Sequence, residues 1–298
     1  MKNPFPSALL AALQIREKEA QRRRALSLRF PLLKKPIIAA HRGARRLRDF
    51  FNPEIRRMPS QKEFFPQIVV RHQSPLRRKL AGLPSFLTEG KIANLRHALE
   101  SLDGLVISPG QTFSFWREIG EPSRQRGFVD GPLLAGGKLV TGAGGGLCQL
   151  SNFLFWILLH APTEVVERHH HSHDAFPDSG RTLPFGSGAT VLFNWVDLRL
   201  RNVAEIPLQL RLWLTDDFLK GQLRAPTPIA EKFHIVERDH LFLEKDRELL
   251  RFNEIFREKR IAGQLLDKEK IATNLASVIY KTSAEELQEQ GFRVLRFS

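Results

Sequence analysis

The chain has 298 residues, of which 42% are hydrophobic and 22 are Phe, a composition that excludes disorder along its whole length. Its single cysteine excludes an intramolecular disulfide and fits a reducing compartment. Residues 1–80 hold 20 of the 46 Lys and Arg but only 5 of the 32 Asp and Glu, so the net charge of +14 belongs to a basic arm and not to a basic domain.

Residues 1–80 are predicted to form a basic, partly helical leader. The stretch from Ser7 to Leu28 is rich in helix-forming residues, and prolines then interrupt the chain at Pro31, Pro36, Pro53, Pro59, Pro66 and Pro75. Between them, apolar residues such as Phe50 and Phe51 alternate with arginines. Such a segment is typical either of a helix on an anionic membrane face or of a solvated helix docked on the main domain, and both interpretations stay open.

The leader carries no recognition motif for nucleic acid, so no nucleic-acid partner is expected. Its apolar run from Ala8 to Leu13 is too short for a signal peptide. No apolar stretch approaches the roughly 20 residues that span a bilayer. The sequence therefore predicts a cytoplasmic protein or one peripheral to the inner membrane face.

From Lys91 onward the chain has the pattern of a compact domain. A helix is expected first, with an apolar stripe that ends at Gly104 and contains Ile92, Leu95, Leu99 and Leu102. Short strands follow, and alternation predicts one strand over residues 189–202 that forms an antiparallel hairpin with a strand over residues 206–214. A third strand over residues 218–225, charge-rich strands after residue 230 and a terminal helix capped by Ser283 complete the prediction. The expected class is α+β with a mostly antiparallel sheet.

The single cysteine, Cys148, follows a triplet of glycines that permits positive φ angles, Gly144, Gly145 and Gly146. The apolar run from Leu147 to His160 predicts a buried helix, which places Cys148 in its first turn. There the helix dipole favours a thiolate, and free N–H groups, with the Gln149 amide, are able to hold an oxyanion. A strand from Thr163 to His169 would run back along this helix and return His169 or His171 to the thiol.

Two other interpretations of this segment remain. A lone cysteine is often an inert buried side chain, and a histidine run is often a solvated loop. A zinc site has acceptable ligands in Cys148, His169, His171 and His173. However, histidines at alternate positions of one extended strand do not converge easily on one ion, so neither a metal nor another cofactor is expected.

Three ordered motifs, "ISPGQTFSFWREIG", "GGGLCQLSNFLFWILLHAPTEVVERHHHS" and "GATVLFNWVDLRLRN", resemble the VanW family over about Gly90 to Leu214. The resemblance implies a role in the cell envelope, since domains of this type in some secreted members are implicated as cysteine-dependent L,D-transpeptidases acting on peptidoglycan peptides. It implies that Cys148 is the acyl acceptor and His169 or His171 the base. It also implies that the glycine triplet and Gln149 shape the oxyanion site.

Many family members have an Asp where this chain has Gly188. If that Asp orients the histidine, the role passes here to another carboxylate, for which the candidates are Asp197, Asp174 and Glu167. Arginines able to pair with a substrate carboxylate are Arg168, Arg199 and Arg201.

The expected organisation is a leader over residues 1–80, a VanW-like domain over 81–225 and a β-rich or mixed extension over 226–298. Two functions are compatible with it. One is a cysteine acyltransferase or hydrolase acting on peptidoglycan peptides or their precursors. The alternative is a non-catalytic accessory factor in glycopeptide resistance or envelope maintenance, peripheral to an anionic membrane through residues 1–80.

Overall fold

The structure is a computed structural model that describes residues 5–29, 34–77, 84–135, 138–170, 173–174, 177, 183–246 and 248–297. Its main helices are α1 Ser7–Arg29, α2 Lys34–Phe51, α3 Ser85–Leu99, α4 Phe115–Ile119, α5 Leu147–Leu159 and α6 Ala284–Glu289. Its strands are β1 Gln67–Pro75, β2 Val106–Ile107, β3 Thr112–Ser114, β4 Asp130–Ala135, β5 Lys138–Ala143, β6 Thr163–Glu167, β7 His173–Asp174, β8 Arg199–Asn202, β9 Leu208–Leu214, β10 Phe218–Ala225, β11 Lys232–Lys245, β12 Glu248–Ile261, β13 Gln264–Val278 and β14 Val294–Phe297.

Helix α5 is the centre of the main core. Its side chains are apolar nearly all round, so the helix is stable only where protein covers every side. It packs against α3 and against the antiparallel sheet β1-β10-β9-β2. Phe153, Leu154 and Phe155 are almost completely buried there. The predicted helix after the glycine triplet is thus confirmed.

Three further sheets surround this core, with the orders β3-β8-β6, β4-β5 and β14-β11-β12-β13-β7. The last sheet is built from long antiparallel strands, and β14 and β7 join its edges in parallel. The predicted α+β class with mostly antiparallel sheets is confirmed. The predicted cap of α6 is also present, because the Ser283 side chain accepts from the Glu286 N–H in a capping box.

The single strand predicted over residues 189–202 is wrong. The chain turns back at Leu192 and Val196, where Asn194 has a φ of 56°, and the strand begins only at Arg199. The predicted hairpin is wrong as well, because β8 pairs with β3 and β6 whereas β9 pairs with β10 and β2. The Asn202 side chain explains this, since it donates to the carbonyls of Ile107 and Ile206 and turns the chain out of one sheet into another.

The leader contacts two sheets, the one that contains β11 and β12 and the one that contains β10. Leu9 and Leu13 of α1 pack into an apolar cluster with β11 and β12, which includes Leu241 and Phe252. Strand β1 pairs along its length with β10, so residues 67–75 belong to the sheet of the main domain although they precede residue 80. Within the described residues, no helix combines the length and apolarity needed to cross a bilayer.

Candidate functional site

The turn before Cys148 depends on glycine. Gly144 and Gly146 have φ angles of 76° and 95°, which L side chains rarely adopt. A Cβ on Gly145 would lie 2.0 Å from the carbonyl carbon of Gly131, so the two backbones touch directly. This close approach fixes where α5 begins and places Cys148 as its second residue.

The Cys148 thiol is half-buried beneath the segment that precedes β8. Its Sγ lies 3.9 Å from the carbonyl oxygen of Val191, at the distance of a weak hydrogen bond. Burial raises the pKa of this thiol, and the Val191 contact offsets the rise only in part. The Gln149 amide donates to Ser74 and to the Pro75 carbonyl of β1, so its nitrogen is engaged with the sheet.

Two polar side chains of α5 hold the covering segment. Ser151 Oγ donates to the Ala189 carbonyl at 2.6 Å, and the Ala189 N–H donates to Asn152 Oδ1 at 2.7 Å. A Cβ on Gly188 would lie 2.4 Å from the same Asn152 oxygen. The glycine at position 188 therefore allows the chain to lie close against α5.

The backbone of His169 lies near the thiol, whereas its ring lies elsewhere. The His169 carbonyl accepts from the N–H of Thr190, the neighbour of Val191. The ring Nε2 lies 3.1 Å from Glu167 Oε1, and 45% of the side chain is exposed. In the part of the chain that is described, no hydrogen bond joins Cys148 to an imidazole, and His171 falls outside that part.

Two of the candidate carboxylates, Glu167 and Asp197, lie close together, whereas Asp174 lies in another sheet. Glu167 binds the His169 ring, and Asp174 forms a buried ion pair with Arg251 at 3.0 Å, in the sheet that contains β7. Asp197 is almost completely buried and accepts from Ser114 Oγ at 2.6 Å. Burial raises the pKa of Asp197 despite that bond and the nearby guanidinium of Arg199. Among the described residues, no group of three or more His, Cys, Asp or Glu is arranged to hold a metal ion.

The candidate arginines also differ. Arg168 lies against the Phe155 ring and donates to the carbonyls of Gly186 and Gly188, and burial lowers its pKa to about 10. Arg201 pairs with Glu164 on the surface. Only Arg199 lies within a larger set of charges, and its geometry suits a carboxylate ligand.

These charges form a group that we call the strand–helix charge cluster, which consists of Arg45, Asp49, Glu167, Asp197 and Arg199. Arg45 Nη2 lies 2.9 and 2.7 Å from the two carboxylate oxygens of Glu167, and Arg199 Nη1 donates to Asp49 at 3.0 Å. Burial raises the pKa of Glu167, but hydrogen bonds from His169 and Arg45 outweigh it and bring the value down to about 2. Sequence reasoning missed Arg45 and Asp49, although their i,i+4 spacing indicates that they share one face of α2.

The fold and this site define an α+β domain built on one buried helix, with a basic helical leader attached. Residues 90–224 match the family model described as VanW like protein. The chain is 30% identical over 217 residues to the Vancomycin B-type resistance protein VanW of Enterococcus faecalis (strain ATCC 700802 / V583), a match that covers 72% of this chain and 79% of that protein. The chain belongs to the VanW family.

A second relative is the Uncharacterized protein YoaR of Bacillus subtilis (strain 168). It is 32% identical over 118 residues, which is 40% of this chain and 37% of that protein. No solved structure matches the chain significantly.

Proposed function

We propose that this chain is a non-catalytic accessory factor in glycopeptide resistance or envelope maintenance, held at the inner membrane face by its basic leader. The relative from Enterococcus faecalis, whose name refers to vancomycin resistance, supports the first part of the proposal. The observation that carries the second part is the outward face of α2, where Leu47, Phe50 and Phe51 are 61%, 71% and 72% exposed.

Helix α2 has its polar and apolar sides reversed relative to a helix that packs on a core. Arg45 and Asp49 face the protein and are bound there, whereas Phe50 and Phe51 stack edge to face in solvent. Arg48 is exposed beside them. An interface of anionic lipid would cover the two rings and attract the basic leader, at about 1 kcal/mol for each Lys or Arg close to the surface.

Sedimentation with vesicles tests this docking. The full chain is expected to bind vesicles that contain phosphatidylserine, and to bind less as salt rises. The double substitution Phe50→Ser with Phe51→Ser should greatly reduce the bound fraction, because the apolar contact is lost. The matched control is Phe86→Ser in α3, where the ring is 65% exposed outside the leader. Equal binding by the double variant and the unaltered chain would contradict the docking.

A cysteine acyltransferase or hydrolase acting on peptidoglycan peptides or precursors is the second candidate. It is favoured by the position of Cys148 in the first turn of α5, after the αL residue Gly146. In that case His169 or His171 would be the base and Gln149 an oxyanion donor. The raised pKa of the thiol and its contact with the Val191 carbonyl weigh against it.

Two measurements on Cys148 separate the candidates. For an accessory factor, a folded Cys148→Ala protein should support glycopeptide resistance as the unaltered chain does. In the unaltered chain, the Cys148 thiol should react with iodoacetamide more slowly at neutral pH than free cysteine, whose pKa is about 8.5. Loss of resistance in the folded variant, together with a fast-reacting thiol, would favour the enzyme.

A further inference from the structure

Arg45 and Asp49 lie one helical turn apart on α2 and face two opposite charges on the neighbouring strands. Arg45 binds both carboxylate oxygens of Glu167, and Asp49 accepts from both terminal nitrogens of Arg199. The helix therefore presents one cation and one anion, in a fixed order, to a surface that carries the complementary pair.

The Glu167–Arg199 pair is oriented by groups that do not belong to α2. Glu167 Oε1 accepts from the Asp197 N–H at 3.0 Å and lies 3.1 Å from His169 Nε2. Arg199 Nε donates to Asp197 Oδ2 at 2.9 Å, and Ser114 holds the same oxygen. The faces of Glu167 and Arg199 that meet α2 are thus held in place from behind, which reduces the ordering cost of any ligand.

Position along the chain separates the two sides of this contact. Glu167 and Arg199 lie within residues 90–224, which match the family model, whereas Arg45 and Asp49 lie outside them. An open cavity of about 500 Å³ adjoins the contact and is lined by Ala44, Arg45, Arg48, Asn194 and Trp195. A small molecule can therefore reach the edge of α2 at the Arg45 end.

We propose that the Glu167–Arg199 pair binds an α-amino acid zwitterion and that α2 occupies this site in the free protein. The ammonium group takes the place of Arg45 at Glu167, and the carboxylate takes the place of Asp49 at Arg199. Glu167 Oε2 and Arg199 Nε are 3.4 Å apart, which suits a ligand whose two charges are adjacent. This site is separate from Cys148 and does not depend on the docking of α2 to a membrane.

Because α2 and the ligand compete for one site, the apparent affinity equals the intrinsic affinity multiplied by the fraction of molecules in which α2 is displaced. Isothermal titration of the full chain with alanine measures this effect. The variant Arg45→Gln with Asp49→Asn weakens the hold of α2 and should bind alanine at least about tenfold more tightly than the unaltered chain. Leu47→Gln, at a position of the same helix that is 61% exposed, is the matched control and should not change the affinity.

Two further titrations separate a zwitterion site from a simple anion site. Acetate and ethylammonium, which each supply one charge, should bind the released variant at least about tenfold more weakly than alanine. Adding Arg199→Lys should abolish alanine binding, since the two-pronged contact is lost. The proposal is overturned if the released variant gives no saturable heat with alanine, or if Arg199→Lys leaves the affinity unchanged.

A variant with smaller structural consequences covers the case in which the double variant does not fold. Asp49→Asn alone retains the size of the side chain and the Arg45–Glu167 pair. It should bind alanine at least about threefold more tightly than the unaltered chain, because one of the two contacts that close α2 is weakened. An unchanged affinity in this folded single variant would also overturn the proposal.

Discussion

Glu118 in α4 should make the stability of this protein fall as the pH rises through neutrality. The residue is 2% exposed, and its Oε1 accepts the N–H of Met58 at 3.2 Å. Burial raises the pKa of this carboxyl group from 4.5 to about 7, against the opposing effects of the Met58 bond, Arg57 and Arg117. The folded protein therefore retains a proton that the unfolded chain has already released.

The sign and size of the effect follow from this difference in proton binding. Between pH 4.5 and about 7 the folded state binds more protons than the unfolded state, so the free energy of unfolding decreases as the pH rises. At about 1.4 kcal/mol for each pH unit, the loss is about 3 kcal/mol. This loss of stability is complete above the folded-state pKa, where the folded chain must hold Glu118 in its charged, buried form.

Urea unfolding of the unaltered chain and of Glu118→Gln, at intervals between pH 5 and pH 8, measures this contribution. The glutamine keeps an oxygen for the Met58 N–H but does not ionise. Its stability relative to the unaltered chain should therefore rise by up to about 3 kcal/mol over this range. Glu121→Gln, at an exposed position nearby, should show no such trend. A stability difference that stays constant from pH 5 to pH 8 would refute the assigned charge burial.

Three other substitutions test separate parts of the fold. Burial and the neighbouring His160 lower the pKa of His72 to about 4, so the folded chain resists a proton that the unfolded chain accepts. The free energy of unfolding should therefore fall as the pH is lowered from 6.5 to 4. Urea titrations of His72→Gln should show a smaller fall over the same range. Gly145→Ala should destabilise the fold by about 3 kcal/mol, because the added Cβ would meet the backbone of Gly131. Gly43→Ala is the control, since a Cβ there has no atom within 4 Å and should leave the melting temperature unlowered. Ser283→Ala should cost about 1 kcal/mol by removing the cap of α6, and an unchanged melting temperature would refute that role.

Elements that depend on local signals were predictable from the sequence. The apolar run of α5 and the Ser283 cap each act within a few residues, so the pattern alone locates them. The stripe of α3 also indicated its helix, but the predicted end at Gly104 is wrong, because the helix ends at Leu99 and Leu102 lies in the turn that follows. The turn within residues 189–202 was not predictable. Asn194 adopts a positive φ there, yet the alternation of apolar and polar residues continues through the turn. The side-chain bonds of Asn202 then decide which sheet the chain enters, and no periodicity reports such bonds.

The sequence predicted where the turn and helix around Cys148 lie, but not which charged side chains pair with one another. The glycine triplet and the helix after it located Cys148. The partners in the charge cluster are remote, since Arg45 and Glu167 are 122 residues apart and Asp49 and Arg199 are 150 apart. Sequence alone gives no register between a leader helix and strands so distant. Glu167 was named as a candidate for the carboxylate that orients the histidine, whereas its Arg45 partner lies on the leader.

The docking of α1 has a consequence for the order in which this protein folds during synthesis. Arg16 pairs with Glu248, 232 residues further along the chain, and Leu9 packs with Leu241 and Phe252. At about 5–20 residues per second, the ribosome releases these partners roughly 10 to 50 s after α1 emerges. During that interval the apolar side of α1 has no native surface to cover it, so the nascent chain is an expected client for chaperones.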